Sequence, residues 1–403
     1  MYSNLAILAV FAFAFSAVAG RIERSRLSGP IIFIFFGLLA GPLGLGFTNF
    51  DIEAVEMRVI ADLTLALVLF IDAANADLTT LRKHAIIPRR MLLFGLPLCI
   101  ALGAWIATLI FPGLGLFEVC LLATMLAATD AALGKGVVTN MAVPARVREG
   151  LNAESGLNDG LAEPFLFLFL ALATGATHPD QSPQLAVELV LKEIGIGIAV
   201  AIVLVTIAVQ VLRFARDHEW ITDIWRQIPV VALSLACFAV AQALHGSGFI
   251  ACFVGGLLFG YFARERTHVL VLAGEGIAEL LAMMTWVIFG AAFVGQIWVS
   301  MTWDVLIYSL LSLTVIRMLP MLLALTRSGE ILETKLFLSW FGPRGLASIV
   351  FSIMVLNENL PNGQFLSMVV TCTVGLSLIA HGVTANPLAG WIAAQESQAK
   401  IQP

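Results

Sequence analysis

The chain has 403 residues, 60% of them hydrophobic and 12% charged, with a mean hydropathy of +0.96 and a formal net charge of -5. Soluble domains carry about 25% charged residues, so this composition is that of a polytopic membrane protein and argues against nucleic acid as a partner. The net charge itself says little, because in such a protein charge is read by side of the membrane and not by sum.

The first apolar run, near 4–20, ends in SAVAG, which looks like a signal-peptide cleavage site. No basic residue precedes it, and Arg21, Arg24 and Arg26 follow it, so it reads as a retained membrane helix with its N-terminus outside. Further runs of about 17 residues or more, enough to span, lie near 29–46, 58–75, 90–111, 116–140, 151–176 and 184–212. A second set lies near 228–244, 248–263, 275–298, 303–326, 333–356 and 364–392, giving about thirteen spans of an all-α membrane protein. Threaded from an outside N-terminus, about seventeen Lys and Arg fall inside, and Arg58 and Lys192 fall outside. Lys135, Arg317 and Arg344 are left at membrane depth, where Lys135 is expected to snorkel. The C-terminus is then cytoplasmic, and no soluble domain or linker interrupts the chain.

In the second span, Gly37, Leu38, Leu39 and Gly41 match Gly256, Leu257, Leu258 and Gly260 of the ninth. The offset of seven spans is odd, so the second copy is inverted, a common plan of secondary transporters. The repeats are approximately 1–176 and 228–392, linked by the seventh helix at 184–212. The same offset pairs the fifth span, with TDAALGKG, and the twelfth, with FGPRGLAS. Both carry charge and glycine mid-span, which predicts two broken helices crossing at the centre. In the third span, Asp62 and Asp72 read as interface or capping residues. The cysteines, Cys99, Cys120, Cys237, Cys252 and Cys372, have no metal-like spacing and read as packing residues.

The sixth span opens with a polar stretch, Glu149 to Pro164, EGLNAESGLNDGLAEP. In a helix, Ser155, Asp159 and Glu163 share one stripe, and Glu154 and Asn158 the stripe beside it. Each ionised carboxylate at the bilayer centre costs about 2.5 to 3.5 kcal/mol, so such acids face the interior and usually mark an ion path. A buried Asp159 can hold a proton or a bare monovalent cation but not both, which builds competition into one group. Hard cations want oxygen ligands, and the Ser155 and Thr129 hydroxyls with carbonyls freed near Gly160 or in the fifth span can supply them. Arg317 and Arg344 cannot discharge themselves, so each needs a buried anion. Glu154 is paired with Arg317, and Asp130 with Arg344. Glu163 stays ambiguous, a possible extra acid at the site. His381, in the last span, reads as a hydrogen-bonded packing residue.

ATDAALG, ESGLNDG and FGPRGLAS together resemble the NhaP-like sodium/proton antiporters of the monovalent cation/proton antiporter superfamily, over nearly the whole chain. The resemblance implies an NhaA-type fold in which a core, with its ion-binding helices within 90–176 and 303–392, moves against a dimerisation domain. It implies that Asp159 is the ion-binding acid, Asn158 a fixed polar neighbour, Thr129 and Ser155 ligands of Na+, and Glu154 the partner of a core arginine. The family often has proline after the fifth-span aspartate, where this chain has Ala131.

The expected function is exchange of Na+ for H+, with Li+ or K+ as alternative cations, by alternating access, one for one and electroneutral, by a homodimer in a bacterial inner membrane. It is no enzyme, and it needs no cofactor beyond the transported ions. A passive cation channel and an intramembrane aspartyl protease using Asp130 and Asp159 are rivals. The buried acid with inverted, broken helices argues against the first, and the missing GxGD-type motif against the second.

Overall fold

A computed structural model describes residues 2–23, 28–47, 54–76, 86–130, 137, 140, 143–177, 183–222, 225–226, 228–263, 267–294, 301–358 and 360–399. Among these residues all regular structure is helical, as expected where no water is available to satisfy a lipid-facing backbone. The helices are α1 (Tyr2–Glu23), α2 (Gly29–Ala40), α3 (Ala54–Asn75), α4 (Ile86–Ile110, with a wide π turn at Met91–Gly95), α5 (Leu116–Met125), α6 (Ala145–Thr177) and α7 (Pro183–Asp217). There follow α8 (Ile228–Ala243), α9 (Gly248–Ala263), α10 (Thr267–Phe289), α11 (Trp303–Leu313), α12 (Val315–Ala324), α13 (Leu332–Trp340), α14 (Leu346–Asn357) and α15 (Gly363–Ala399).

Each apolar run of the sequence contains a helix. Among the described residues, seven helical stretches are long and apolar enough to cross a membrane: α1, α4, α6, α7, α10, α11 continued by α12, and α15. The fifth and twelfth runs are interrupted, as their mid-span charge and glycine predict. Helix α5 stops at Met125, and the extended stretch Phe341–Gly345 separates α13 from α14. The eleventh run, long enough for one span, breaks at Thr314 (φ -106°, ψ -91°). There the Thr314 hydroxyl and amide both turn back onto the Leu310 carbonyl, at 2.7 and 3.1 Å.

Helix α3 packs against α6, α8, α9, α10 and α14, which puts it in the middle of the molecule. Small residues permit the closest approaches. A Cβ on Gly256 or Gly260 of α9 would overlap the carbonyls of Phe70 and Ala74 on α3. On the other side, a Cβ on Gly37 of α2 would overlap the Val287 carbonyl on α10. Direct backbone contact of this kind holds helices together in lipid, where burial of apolar side chains gives little advantage over lipid tails. The cysteines are free, with four buried and Cys120 half-buried, as expected of packing residues.

A candidate ion-binding site at the helix crossing

Beyond Met125 the chain turns at Leu126–Ala127, runs on without helix to Asp130, and crosses the non-helical stretch between α13 and α14. The Asp130 amide donates to the Pro343 carbonyl at 2.8 Å. Oδ2 of Asp130 accepts the Leu346 amide at 2.9 Å, so a carboxylate caps the N-terminus of α14. In return, Arg344 Nη1 donates to the carbonyls of Ala127 and Ala128 at 3.1 and 3.3 Å. Asp130 and Arg344, expected to pair with each other, meet in one crossing, but these bonds link each to the free backbone of the other's span. Both glycines of FGPRG are required here. A Cβ on Gly345 would overlap the Asp130 carboxylate, and one on Gly342 would overlap the Arg317 guanidinium.

The break between α13 and α14 is bridged by α15. His381 Nε2 lies 3.0 Å from the Trp340 carbonyl, its Nδ1 lies 3.1 Å from Ser377 Oγ, and that hydroxyl accepts the Arg344 amide at 2.7 Å. His381 is therefore the hydrogen-bonded packing residue expected. Ser377, a polar residue four before His381 in an apolar helix, is what ties α15 to the Arg344 backbone.

Helix α6 lays its polar stretch along this crossing. Glu154, wholly buried, accepts from Arg317 Nη1 at 2.9 Å, so the expected pair is present. Asn158 Nδ2 lies 3.2 Å from the Ala127 carbonyl, 2.9 Å from Thr129 Oγ1 and 3.2 Å from Glu154 Oε1. Asn158 therefore ties α6 to the unwound fifth span, and the Thr129 hydroxyl is engaged there with Asn158 and Glu154 (3.5 Å).

Among the described residues, Asp159 is the acid of this group that faces no cation. It is buried, the Thr129 backbone hydrogen-bonds to its carboxylate, and its charged neighbours are Asp130, Asp72 and Glu154. Its Oδ1 has no hydrogen-bond partner. Ser155, also buried, lies one turn before it. Asp72, read from sequence as an interface or capping residue, reaches this acidic surrounding from α3, and its side chain packs beside Gly156. An acceptor oxygen left open at membrane depth, in a negative field, can hold a proton or a small cation.

Glu163 lies one turn beyond Asp159 on the same stripe of α6 and has a hydrogen-bond partner of its own. Its Oε1 accepts from Ser247 Oγ at 3.1 Å, at the start of α9. Lys135 and Ala131, named in the sequence reading, lie outside the described residues.

The model of the family described as "Sodium/hydrogen exchanger, transmembrane" matches residues 9–391. The chain belongs to this family. Among sodium/hydrogen exchanger relatives, it is 25% identical over 398 residues to the K(+)/H(+) antiporter NhaP of Alkalimonas amylolytica, covering 96% of this chain and 67% of that one. It is 27% identical over 380 residues to a Na(+)/H(+) antiporter of Saccharomyces cerevisiae, covering 88% and 38%. A K(+)/H(+) antiporter NhaP2 of Shewanella sp. (strain MR-4) is 22% identical, with 91% and 63% covered. The chain thus spans about two thirds or less of the length of these curated relatives. Its fold is similar to that of the sodium proton antiporter MjNhaP1 from Methanocaldococcus jannaschii at pH 8, with a TM-score of 0.80, 19% identity and 97% of each chain covered. The resemblance to NhaP-like exchangers carried by ATDAALG, ESGLNDG and FGPRGLAS is borne out at the level of family and fold.

Proposed function

We propose that this chain is a secondary antiporter that exchanges Na+, Li+ or K+ for H+ by alternating access, one ion for one proton. The observation that carries the reading is the open Oδ1 of Asp159, buried among acids and beside two unwound spans. In the cation-loaded form, ionised Asp159 binds the ion with Ser155 and neighbouring oxygens of the fifth span, including Thr129. In the proton-loaded form, the same carboxyl carries hydrogen and the cation has left. Glu154, tied to Arg317, and Asn158, which cannot titrate, hold the frame in both forms. The loaded site then has the same net charge in each, and exchange is electroneutral.

The moving core comprises helices within 90–176 and 303–392, and the crossing of the fifth and twelfth spans supports this grouping. Inverted repeats are supported by reciprocal packing. The second span meets the tenth at Gly37, and the ninth meets the third at Gly256 and Gly260, the contact that a seven-span offset would generate. The protein acts as a homodimer in a bacterial inner membrane, N-terminus outside and C-terminus inside.

Relatives named for K(+) and for Na(+) support both cations equally. The test is a pH-gradient assay in proteoliposomes with each alkali cation added in turn. Collapse of the gradient by one cation, saturable and without single-channel current, is the expected result. Unsaturable current would favour a channel, and peptide cleavage by the pure protein would favour a protease.

A further inference from the structure

Glu163 is a buried acid that the mechanism above does not use. Its side chain is 0% exposed, its Oε2 has no hydrogen-bond partner, and the hydrogen bond to its Oε1 comes from Ser247. The Ser247 hydroxyl oxygen accepts the Ile250 amide at 3.1 Å, so its own hydrogen is directed at Glu163. The charged and titratable groups around it are Asp62 on α3 and the Cys252 thiol on α9, and Asp159 lies one turn back on the same helix. Glu193 of α7 comes near through its backbone, as its carbonyl accepts the Ser247 amide at 3.1 Å. Acids and a thiol surround the carboxyl, so an ionised Glu163 would stand uncompensated at membrane depth.

Its surroundings also discriminate between ions. A hard cation needs several oxygen ligands to replace its water. Among the described residues the hydrogen-bond partner of Glu163 is Ser247, and Leu166, one turn on along the helix, is buried and apolar. A proton needs one oxygen, and Oε2 is open. Asp159 and Glu163 lie on one stripe of α6, about 6 Å apart along the axis.

We propose that Glu163 is a second, proton-only binding site, through which the proton exchanged at Asp159 enters or leaves. The proposal rests on the antiporter reading above. In the release step, with that end of the site open to water, the proton on Glu163 passes to water. The proton on Asp159 then moves to Glu163, one O–H bond breaking as the other forms, and ionised Asp159 takes the cation. One proton leaves for each cation bound, so the one-for-one count stands.

The test separates two fluxes in proteoliposomes. Exchange of labelled Na+ for Na+ needs Asp159 but no proton, whereas Na+-driven proton flux needs both. Glu163→Gln keeps the shape and the acceptor for Ser247 but cannot relay. It is expected to leave Na+/Na+ exchange and melting temperature near wild type while slowing proton flux about tenfold or more, and Glu163→Asp is expected to restore part of that flux. Proton flux unchanged in Glu163→Gln, or both fluxes lost together with a lowered melting temperature, would overturn the proposal. Should Glu163→Gln fail to insert, Ser247→Ala takes its place, with selective slowing of proton flux expected and an unchanged ratio of the two fluxes contradicting the relay. Asp159→Asn serves as the control: if it keeps Na+/Na+ exchange, the antiporter reading itself fails, whatever Glu163 does.

Discussion

Arg317 Nη1 lies 2.9 Å from Glu154 Oε1, and neither side chain reaches solvent. The pair joins α12, just after its break at Thr314, to the polar face of α6, and through Asn158 and Thr129 it reaches the unwound fifth span. Removing one partner leaves the other charged in an apolar interior. Glu154→Ala is therefore expected to destabilise the protein by about 3 to 5 kcal/mol, with a smaller effect on apparent cation affinity. Arg317→Ala added to it should recover part of the loss. The recovery stays incomplete because Asn158 and Thr129 also lose Glu154. A melting series in which the two changes simply add would break the pairing argument.

Gly345 tests the crossing itself. Its missing Cβ is what allows Asp130 to reach the start of α14, so Gly345→Ala must displace the carboxylate or the backbone. A cost of about 1 to 3 kcal/mol is expected, as for other overpacked cores, together with loss of most transport. Wild-type melting and transport in this variant would show that the crossing tolerates rearrangement.

Competition at one carboxylate fixes the sign of the pH dependence. Protons and cations exclude each other at Asp159, so lowering the pH raises the apparent KM for the cation. In the proton-saturated range the rise approaches about tenfold per pH unit. Maximal flux at saturating cation should fall much less. Initial rates over a grid of pH and Na+ concentration check this, and a KM independent of pH would remove the shared site.

Charge counting gives a further expectation. If one cation replaces one proton at Asp159, a membrane potential, worth about 2.3 kcal/mol per net charge per 100 mV, has nothing to act on. Flux with the potential clamped at zero and at a large negative value should be the same. A clear difference would mean that a second charge moves in the cycle.

Much of this architecture is legible in the chain because lipid leaves few alternatives. An apolar run must be helical, and charge within it must find an internal partner. That logic finds the broken fifth and twelfth spans, the Glu154 and Arg317 pair, and the place of Asp159. It fails where the partner is backbone. Arg344 binds two carbonyls and Asp130 an amide, and neither kind of partner is marked by residue type. The break at Thr314 was equally hidden, because a threonine in an apolar helix usually turns back on its own carbonyls without interrupting it. Asp72 joins the surroundings of Asp159 only through the packing of α3 on α6, a long-range contact with no local signature. Ser247, at the start of α9, meets Glu163 for the same reason.

The most direct test of the central claim is Asp159→Asn in proteoliposomes, with cation-driven proton flux measured beside wild type at matched protein and verified insertion. The side chain keeps its size and most of its contacts and loses only the ability to exchange a proton for a cation. The account predicts flux at the level of empty liposomes for every alkali cation, with a melting temperature at or above that of wild type. Retention of more than a small fraction of the wild-type flux by a correctly inserted protein would contradict it.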